Sequence, residues 1–447
     1  MFTTHTPVLK ERNGPLPDDT SAWAVLVGVT TSGSHASAHW FQGFLKSCRE
    51  RKLRICGVDF HEPLQHRTPP IPVDCLVTVP GPYASGLDAE QTTAAVQEIR
   101  ARCPGEVVLS TALRENYQLQ NSQLARALGT MANDDACIRL IQDKPACREA
   151  LRQAGVRQPQ SLRIIGAAAD GTPLFGNAAG EGVKTPPPAP GGWIVKPATG
   201  MGSVGVHHIA SLDELPDLGP DVVAGGYCLE EFVTGTEFSV EGLTVDGQVR
   251  VYTTTAKTTN ESFVETGHLQ PAGPDRIPPS CHLREQLQTC IDALGIRCGH
   301  LHVEFWVTPE KEIVWGEFHV RQGGDFIAPD LVSAVCPGLD FYGELIDSLR
   351  GEPLPPIPEI GRHAGVRFVE TAAGTVVDTS LSRELPAGTD VFWECRPGET
   401  VHAVNGLRAR PAAVLACADD EPAVEARLAD AIDACDIRVA SSKRGGA

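Results

Sequence analysis

The stretch from Gly192 to Val206 places a lysine at the end of a short apolar run and follows it with a glycine-rich loop. The apolar residues before Lys196 and the β-branched pattern that resumes at Val204 predict a strand, a loop and a second strand. Glycine permits positive φ, so the backbone N–H groups of such a loop can point at an anion, and the lysine adds a mobile positive charge. The stretch therefore favours a phosphate-binding loop, with an ordinary hairpin as the alternative. It has neither the Walker ending nor the Rossmann glycine spacing.

Composition excludes several classes of partner. The chain has 447 residues, which is enough for two to four domains, and a formal net charge of −18, which argues against nucleic acid or an anionic membrane as a partner. We find neither a run of about 18 apolar residues nor an apolar N-terminal segment, so we expect no membrane span, no signal peptide and a cytoplasmic location. The 14 cysteines form no Cys-x-x-Cys pair, and we interpret them mostly as small core residues.

The order of predicted elements divides the chain. Strands alternate with helices at its beginning, which is typical of a parallel sheet with helical crossovers. A single amphipathic helix from Asp135 to Gln153 then breaks this pattern, and proline-rich residues 351–358 mark a second boundary. The predicted parts are a disordered lead-in at 1–21, an N-terminal α/β domain at 22–133, a lobe with the glycine-rich loop at 134–235, a lobe with an acidic hairpin at 236–350, and a C-terminal α+β subdomain at 351–447.

The pattern of residues 301–321 predicts the acidic hairpin, with its turn at 309–310. Alternation places several polar side chains on one face, opposite the apolar ones. They are His302, Glu304, Trp306, Glu317, His319 and Arg321. The predicted register pairs His302 with Glu317, so that Glu304 and Glu317 lie diagonally, roughly 7–8 Å apart at the backbone. Two carboxylates at this spacing suit Mg²⁺ with phosphate ligands, and a solvated face with an exposed salt bridge is the alternative.

Several motifs in this order make the chain similar to a known family. Lys144 lies in a predicted helix that ends at Gly155. Lys196 precedes the glycine-rich loop, and the pair Glu304 and Glu317 follows. With these motifs the chain resembles the ATP-grasp superfamily, and within it the carboxylate–amine ligases of the L-amino acid ligase type. The resemblance covers nearly the whole chain. It implies an ATP-grasp fold of mixed α/β and α+β class, with an N-terminal parallel α/β domain, two ATP-gripping α+β lobes and a small C-terminal α+β piece.

The resemblance also implies which residues bind ATP. Lysines contact phosphate, the glycine-rich loop is a mobile lid, the strand near Glu231 reads adenine mainly through its backbone, and Glu237 meets the ribose. The implied ATP-binding residues are Lys144, Lys196, Gly200, Gly202, Ser203, Glu230, Glu231, Val233, Glu237 and Lys257. An exposed helix position for Lys144 and a solvated strand position for Lys257 are the alternatives.

Metal and catalytic roles follow from the same resemblance. It implies metal binding by Glu304, Glu317 and His319, and catalysis by Arg321, Glu265 and His268. Glu265 and His268 orient the amine, and capping of a turn is the alternative. The family has asparagine where this chain has His319, and imidazole is a poorer ligand for Mg²⁺ and a better one for Mn²⁺. Either Glu317 alone holds that ion, or His319 hydrogen-bonds phosphate or substrate, or the metal preference is shifted.

The implied activity is ATP-dependent joining of a carboxylate to an amine, most simply of two amino acids or amino-acid-like molecules. It proceeds through an acylphosphate, releases ADP and phosphate, and uses ATP with Mg²⁺ or Mn²⁺. The alternatives are an enzyme of the same fold with a non-amino-acid nucleophile, a phosphotransferase, and a nucleotide-binding regulatory protein with a decayed site. Dimers are common among such enzymes, so a homodimer is a further expectation.

Overall fold

The computed structural model describes most of the chain. The described residues are 22–30, 35–61, 72–80, 86–169, 171–183, 186–200, 204–219, 222, 226–261, 263–403 and 409–440. The predicted lead-in at 1–21 and two of the predicted lid residues, Gly202 and Ser203, lie outside them. Among the described residues, no helix is both long and apolar enough to cross a membrane.

Within the described residues, the N-terminal sheet contains four parallel strands, as the alternation of strands and helices predicts. The strands are β1 (Ala22–Val27), β2 (Arg54–Phe60), β3 (Cys75–Val79) and β4 (Glu106–Thr111), in the spatial order β3-β2-β1-β4. The helices described beside them are α1 (His35–Glu50), α2 (Ala89–Arg102) and α3 (Gln118–Leu128). A short 3₁₀ turn, Glu115–Tyr117, follows β4 at the carboxyl edge of the sheet, where ligands of parallel sheets usually bind.

The single helix predicted between Asp135 and Gln153 is wrong, because the structure has two helices there. They are α4 (Asp135–Gln142) and α5 (Lys144–Gln153). Asp143 between them is extended, with φ −94° and ψ 98°, and its carboxylate accepts from the Ala146 amide and so caps α5. Because α5 starts again at this point, Lys144 stands at a helix N-terminus, where its amide donates to the Ala198 carbonyl at 2.9 Å.

The second sheet has six described strands and carries the glycine-rich stretch. The strands are β5 (Ser161–Ala167), β6 (Pro173–Gly176), β7 (Gly182–Val183), β8 (Trp193–Pro197), β9 (His207–Ile209) and β10 (Tyr227–Glu231), in the order β7-β6-β5-β10-β8-β9. The two strands that flank the loop, β8 and β9, pair antiparallel, with Trp193 opposite Ile209. The predicted order of strand, loop and strand is therefore confirmed. A 3₁₀ turn, Leu212–Leu218, follows.

The third sheet is antiparallel and has eight described strands. The strands in this part of the chain, which form this sheet and a smaller one, are β11 (Thr236–Val245), β12 (Gln248–Thr259), β13 (Glu265–Gln270), β14 (Gly299–Val307), β15 (Ile313–His319), β16 (His363–Thr371), β17 (Gly374–Leu381), β18 (Thr389–Trp393), β19 (Thr400–Val401), β20 (Ala409–Ala418) and β21 (Cys435–Ala440). The large sheet has the order β15-β14-β11-β12-β13-β16-β20-β18, and β19-β17-β21 form a small sheet. The described α-helices here are α6 (Leu283–Leu294), α7 (Val332–Val335), α8 (Phe341–Leu349) and α9 (Glu421–Ala434), and a 3₁₀ turn, Pro279–Cys281, and a π-helical turn, Ile327–Leu331, precede α6 and α7.

The hairpin of β14 and β15 has a register that differs from the predicted one. His302 pairs with His319 rather than with Glu317, so the predicted pairing is wrong. The register shifts at Glu304, where the two residues Gly316 and Glu317 lie opposite one, which is a β-bulge. A Cβ at position 316 would lie 2.8 Å from the Glu304 carbonyl oxygen, so the bulge depends on glycine. Alternation predicts the face of each side chain but not such a bulge.

The apolar face of the hairpin packs against the core. Phe305, Trp315 and Phe318 are buried and belong to a cluster that includes side chains of α4, α5 and α6. The ring centroids of Phe305 and Trp315 are 5.4 Å apart, and those of Trp315 and Phe318 are 5.9 Å apart. Because this face is fixed by aromatic packing, the polar face of the hairpin is held toward the opposite side.

Candidate active site

A cavity of about 1140 Å³ is lined by residues from the six-stranded and the eight-stranded sheet and from the connection after β4. It is lined by every described residue of the predicted site except His268, which is buried beside it. All six polar residues predicted for one face of the hairpin are among the lining residues. Ordinary ligand pockets measure roughly 300–1,000 Å³, so this cavity is large enough for more than one small molecule.

Two lysines from the side of the glycine-rich loop meet at Glu317. The Lys196 ammonium lies 3.0 Å from Glu317 Oε1, and the Lys144 ammonium lies 3.5 Å from Glu317 Oε2. Lys144 Nζ also donates to the carbonyl oxygen of Gly200 at 2.8 Å. Both lysines are buried, so their charges are poorly screened by water. The start of the loop is thereby tied to the acidic hairpin by charges that a phosphate group can also bind.

A buried ion pair lies beneath Lys196. The carboxylate of Glu230 is 2.8 Å from Lys196 Nζ and 3.1 Å from Arg148 Nε. Arg148 also donates to the carbonyl oxygen of Gly316 at the bulge. Because Lys196 and Arg148 occupy the Glu230 carboxylate, it is not available to a ligand. A nucleotide base that binds along β10 would therefore contact backbone groups near Glu231.

Lys257 occupies the centre of a second cluster of charges. Its ammonium lies 2.5 Å from Glu304, 2.9 Å from Glu265 and 3.2 Å from Glu237, in each case from Oε1. The three carboxylates each offer an oxygen within 4.8 Å of the others. Burial and the neighbouring charges of Glu304 and Glu265 raise the pKa of Glu237, so the three carboxyl groups that surround this one lysine differ in how readily they ionise.

Neighbouring charges keep Glu304 and Glu317 ionised. Burial opposes ionisation of Glu304, but the charge of Lys257 and the hydrogen bond from His302 outweigh it and hold the pKa well below its usual range. For Glu317, burial is likewise outweighed by Lys196 and Lys144, which lower the pKa to about 2. Both residues are therefore carboxylates at neutral pH, the form that binds a divalent cation.

A protonated histidine lies behind Glu304. His302 donates from Nδ1 to Glu241 Oε1 at 3.0 Å, and its Nε2 is 3.5 Å from Glu304 Oε1. Glu241 is buried and also accepts hydrogen bonds from the hydroxyls of Ser239 at 2.7 Å and Thr255 at 3.1 Å. Burial lowers the pKa of His302, but Glu241 outweighs it and raises the pKa to about 9. The imidazolium therefore fixes the position of Glu304 from below.

His319 is engaged by a residue of the N-terminal part. Its Nδ1 lies 2.9 Å from Glu115 Oε2, and its Nε2 lies 3.8 Å from Glu317 Oε2. Arg321 Nε is 3.2 Å from the same oxygen of Glu115. Burial would raise the pKa of Glu115, but the charges of His319 and Arg321 outweigh it and lower the pKa to about 2. His319 thus keeps only Nε2 for a ligand, since Nδ1 is held by Glu115.

A histidine without hydrogen-bond partners is buried beside the other end of the cavity. Both ring nitrogens of His268 are buried and lack a hydrogen-bond partner, and burial lowers the pKa of this histidine to about 4. Its Nδ1 or Nε2 lies within 4.8 Å of a carboxylate oxygen of Glu265 and of Asp325. Arg410 binds Asp325 at 2.7 Å and lies 3.6 Å above the ring centroid of Phe368. A neutral imidazole and a guanidinium therefore face the same region.

Sequence reasoning missed Glu115, Glu241, His302 as a charged group, Asp325 and Arg410. Glu115 follows the fourth parallel strand, at the edge where ligands usually bind, and this position was the available signal. For Arg410 the sequence carries no comparable signal, because it is the single charge in an otherwise apolar strand, whereas Glu241 shares its strand and, by alternation, its face with the predicted Glu237.

The donors present fit a divalent cation. Glu304 and Glu317 supply ionised oxygens, which Mg²⁺ prefers, and His319 Nε2 adds a nitrogen that Mn²⁺ accepts more readily. The lysines that now neutralise these carboxylates lie beside them and remain available to phosphate oxygens. Carboxylates for a metal ion and lysines for phosphate oxygens therefore occur together, as a ligand that contains both metal and phosphate requires.

Comparison with known proteins concerns the domain and the fold. A family model described as the ATP-grasp domain matches residues 190–330. No curated protein sequence matches the chain.

Similar solved structures include an L-amino acid ligase from Bacillus licheniformis, with 18% identity and a TM-score of 0.72, covering 95% of this chain and 100% of that chain. A phosphoribosylglycinamide synthetase from Anaerococcus prevotii has 14% identity and a TM-score of 0.65, covering 94% and 100%. A carboxyaminoimidazole ribonucleotide synthase from Aspergillus clavatus, complexed with ATP, has 14% identity and a TM-score of 0.63, covering 93% and 99%. At these identities the likeness concerns the fold.

Proposed function

From the ATP-grasp fold and ATP-grasp domain of this chain, we propose that the protein is an ATP-dependent carboxylate–amine ligase that joins amino acids or amino-acid-like molecules and releases ADP and phosphate. The observation that carries the proposal is the convergence of Lys144 and Lys196 on Glu317, next to the Lys257 and Glu304 pair. A metal-bound triphosphate needs positive groups for its phosphate oxygens and carboxylates for its metal ion. The buried lysines and glutamates meet both needs within one cleft.

At the phosphate end, binding exchanges partners. The triphosphate takes Lys144 and Lys196 from Glu317. Glu304 and Glu317 would hold Mg²⁺ or Mn²⁺, which would offset negative charge on the transferred phosphoryl group. Arg321, now held by Glu115, supplies a further positive charge beside the reacting phosphate. The backbone between β10 and β11 accommodates the adenine base, since Phe232, Val233 and Gly235 line the cavity.

At the substrate end, the chemistry proceeds in two displacements. A carboxylate oxygen attacks the γ-phosphorus and ADP leaves, which gives an acylphosphate. The amine nitrogen then attacks the acyl carbon, the amide bond forms and phosphate leaves. The amine must be neutral to attack, and His268 is a neutral base whose nitrogens are without partners. His268 therefore accepts the hydrogen bond, and then the proton, of the amine.

The position of Arg410 is a reason to propose an amino-acid-like substrate, because a guanidinium group can bind the carboxylate of such a molecule. It lies on β20, three strands from Lys257 on β12, which is about 14 Å across the sheet at about 4.8 Å per strand. Phe368 supports the guanidinium from one side, and Asp325 is its ion partner. A substrate carboxylate at this distance from the phosphates would take over the contact from Asp325.

The test measures ADP and phosphate with purified protein, ATP, Mg²⁺ or Mn²⁺, and paired amino acids. The expected result is release of both products only when a carboxylate and an amine are present together, with an amide product of matching mass. Accumulation of a stable phosphorylated carboxylate that amines do not consume would favour a phosphotransferase. Tight ATP binding without ADP formation for any pair and either metal would favour a regulatory protein.

A further inference from the structure

Three cysteines meet in the N-terminal sheet, among residues that do not line the cavity. Cys56 on β2 and Cys75 on β3 are register partners, so their side chains point to the same face of the parallel sheet. Cys103 directly follows α2, which packs on β3. The three sulfur atoms all lie within 4.8 Å of one another. Three separate elements therefore bring one thiol each to a single point.

The cluster is buried and differs from the other thiols of the protein. Cys56 is 0% exposed, Cys103 is 2% exposed and Cys75, at the rim, is 9% exposed. All 14 cysteines are free thiols and belong to the described part of the chain. Among the described residues, this is the one group in which several cysteines are close enough to share an ion. The remaining cysteines behave as single small core residues.

The dimensions of the cluster suit a three-coordinate soft cation. An ion about 2.3 Å from each sulfur, in the plane of the three, needs sulfurs about 4.0 Å apart, which lies within the 4.8 Å limit. Thiolate ligands select Cu(I) and zinc among the common metals. Structural zinc takes four protein ligands, whereas within the described chain this group contains no fourth histidine, cysteine or carboxylate donor. Trigonal coordination by three sulfurs therefore favours Cu(I).

Charge around the cluster is compatible with thiolates. Arg54 and Arg102 are close enough for their positive charges to act on the Cys75 thiol. Three thiolates and one monovalent cation leave two negative charges, which these guanidinium groups offset in part. Each thiol releases its proton to solvent when its sulfur binds, and no oxidation is required.

We propose that Cys56, Cys75 and Cys103 form a binding site for a soft monovalent cation of the Cu(I) class, separate from the ligase site. Such an ion links α2 to two neighbouring strands of the parallel sheet. Since metal that binds the folded state alone stabilises it, occupancy also raises the thermal stability of the protein.

The test titrates the reduced full-length protein with Cu(I) under anaerobic conditions, against bicinchoninate as a competing chelator. We expect one equivalent of Cu(I) to be retained, a higher melting temperature, and X-ray absorption that reports three sulfur neighbours at about 2.3 Å. The Cys75→Ser variant should bind at least roughly 100-fold more weakly, because loss of a ligand costs more than loss of the groups around it.

The matched control is Cys435→Ser, which changes another partly accessible thiol far along the chain and should bind as the wild type does. Equal binding by wild type and Cys75→Ser overturns the proposal. X-ray absorption spectra of the wild-type protein that show fewer than three sulfur neighbours also overturn the proposal. Since this measurement needs no variant, it tests the proposal even if Cys75→Ser does not fold. Neither outcome depends on ligase activity.

Discussion

The two ends of the cavity differ in how their polar groups are satisfied. At the hairpin end, every charged group discussed above has an opposite charge within 4 Å: Lys196 and Lys144 on Glu317, Lys257 on Glu304, and Glu115 on Arg321. At the end formed by β13, β16 and β20, His268 is buried with neither nitrogen bonded, although burying unpaired polar groups costs stability.

This difference indicates two modes of ligand binding. A ligand at the hairpin end must exchange existing ion pairs, so it must itself carry both negative charge and metal. A ligand at the other end gains hydrogen bonds that His268 lacks, and only a ligand that carries a carboxylate must also replace Asp325 at Arg410. Substitutions at the two ends should therefore affect different kinetic constants.

The largest effect is expected for Glu317→Gln. It removes the carboxylate that two lysines share and that would hold the metal, so kcat should fall by at least roughly 10²–10³-fold. The measurement is steady-state ADP release, with circular dichroism to verify folding. The control is Glu312→Gln, which changes an exposed glutamate near the turn of the same hairpin and should leave kcat unchanged. Retained turnover in Glu317→Gln would contradict the assignment of Glu317.

A smaller effect is expected for His268→Gln, at the opposite end. This change removes the neutral base but keeps a polar side chain, so kcat/KM for the amine should fall by on the order of 100-fold. The KM for ATP should stay within about twofold, because the phosphate end is intact. If His268→Gln raised the KM for ATP and left kcat/KM for the amine unchanged, the assignment of the two ends would be contradicted.

The next prediction concerns Arg410→Met, which keeps an unbranched side chain over Phe368 but removes the charge. The KM for the carboxylate-bearing substrate should rise about tenfold, which corresponds to about 1.4 kcal/mol. As a control, Arg438→Met changes an arginine whose exposed side chain pairs with Asp378 in the small sheet and should have no effect. An unchanged KM for every substrate would show that Arg410 has only a structural role.

The last prediction concerns His302 and stability, and it involves no change in a kinetic constant. The pKa of His302 is raised to about 9 in the folded protein, above the usual value of about 6.5 in an unfolded chain. The folded state therefore binds this proton more tightly, and the stabilisation is complete below pH 6.5 and lost as the pH rises through about 9. The free energy of unfolding should fall by on the order of 1–3 kcal/mol over that range.

Urea unfolding at pH 6.5 and pH 9.5 measures this change. The decrease should be clearly smaller in His302→Gln than in the wild type, because the variant has no proton to lose there. The same pH dependence in both proteins would contradict the buried imidazolium.

Sequence alone was sufficient where local pattern decides the structure. Alternation predicted the polar face of the hairpin, and the strand–helix rhythm predicted the parallel sheet. Sequence-based prediction failed where a specific backbone or side-chain contact determines the local structure. The bulge at Glu317 depends on the approach of Gly316 to the Glu304 carbonyl, and the break at Asp143 depends on a cap that competes with helix continuation.

The charge partners were also beyond sequence reasoning. Glu115 and His319 are separated by 204 positions and meet only because the connection after β4 reaches the hairpin. A single charged residue in an apolar strand, such as Arg410, gives no sign of which partner it binds. Such partners follow from the packing of the sheets and not from any local period.

The central claim is that a carboxylate attacks ATP before the amine attacks the carboxyl carbon, and isotope transfer tests it most directly. The substrate carboxylate is labelled with ¹⁸O, the reaction is run with ATP and amine, and the released phosphate is analysed by mass spectrometry. The account predicts that each phosphate carries one ¹⁸O atom from the carboxylate. Unlabelled phosphate, with oxygen taken from water, would contradict it.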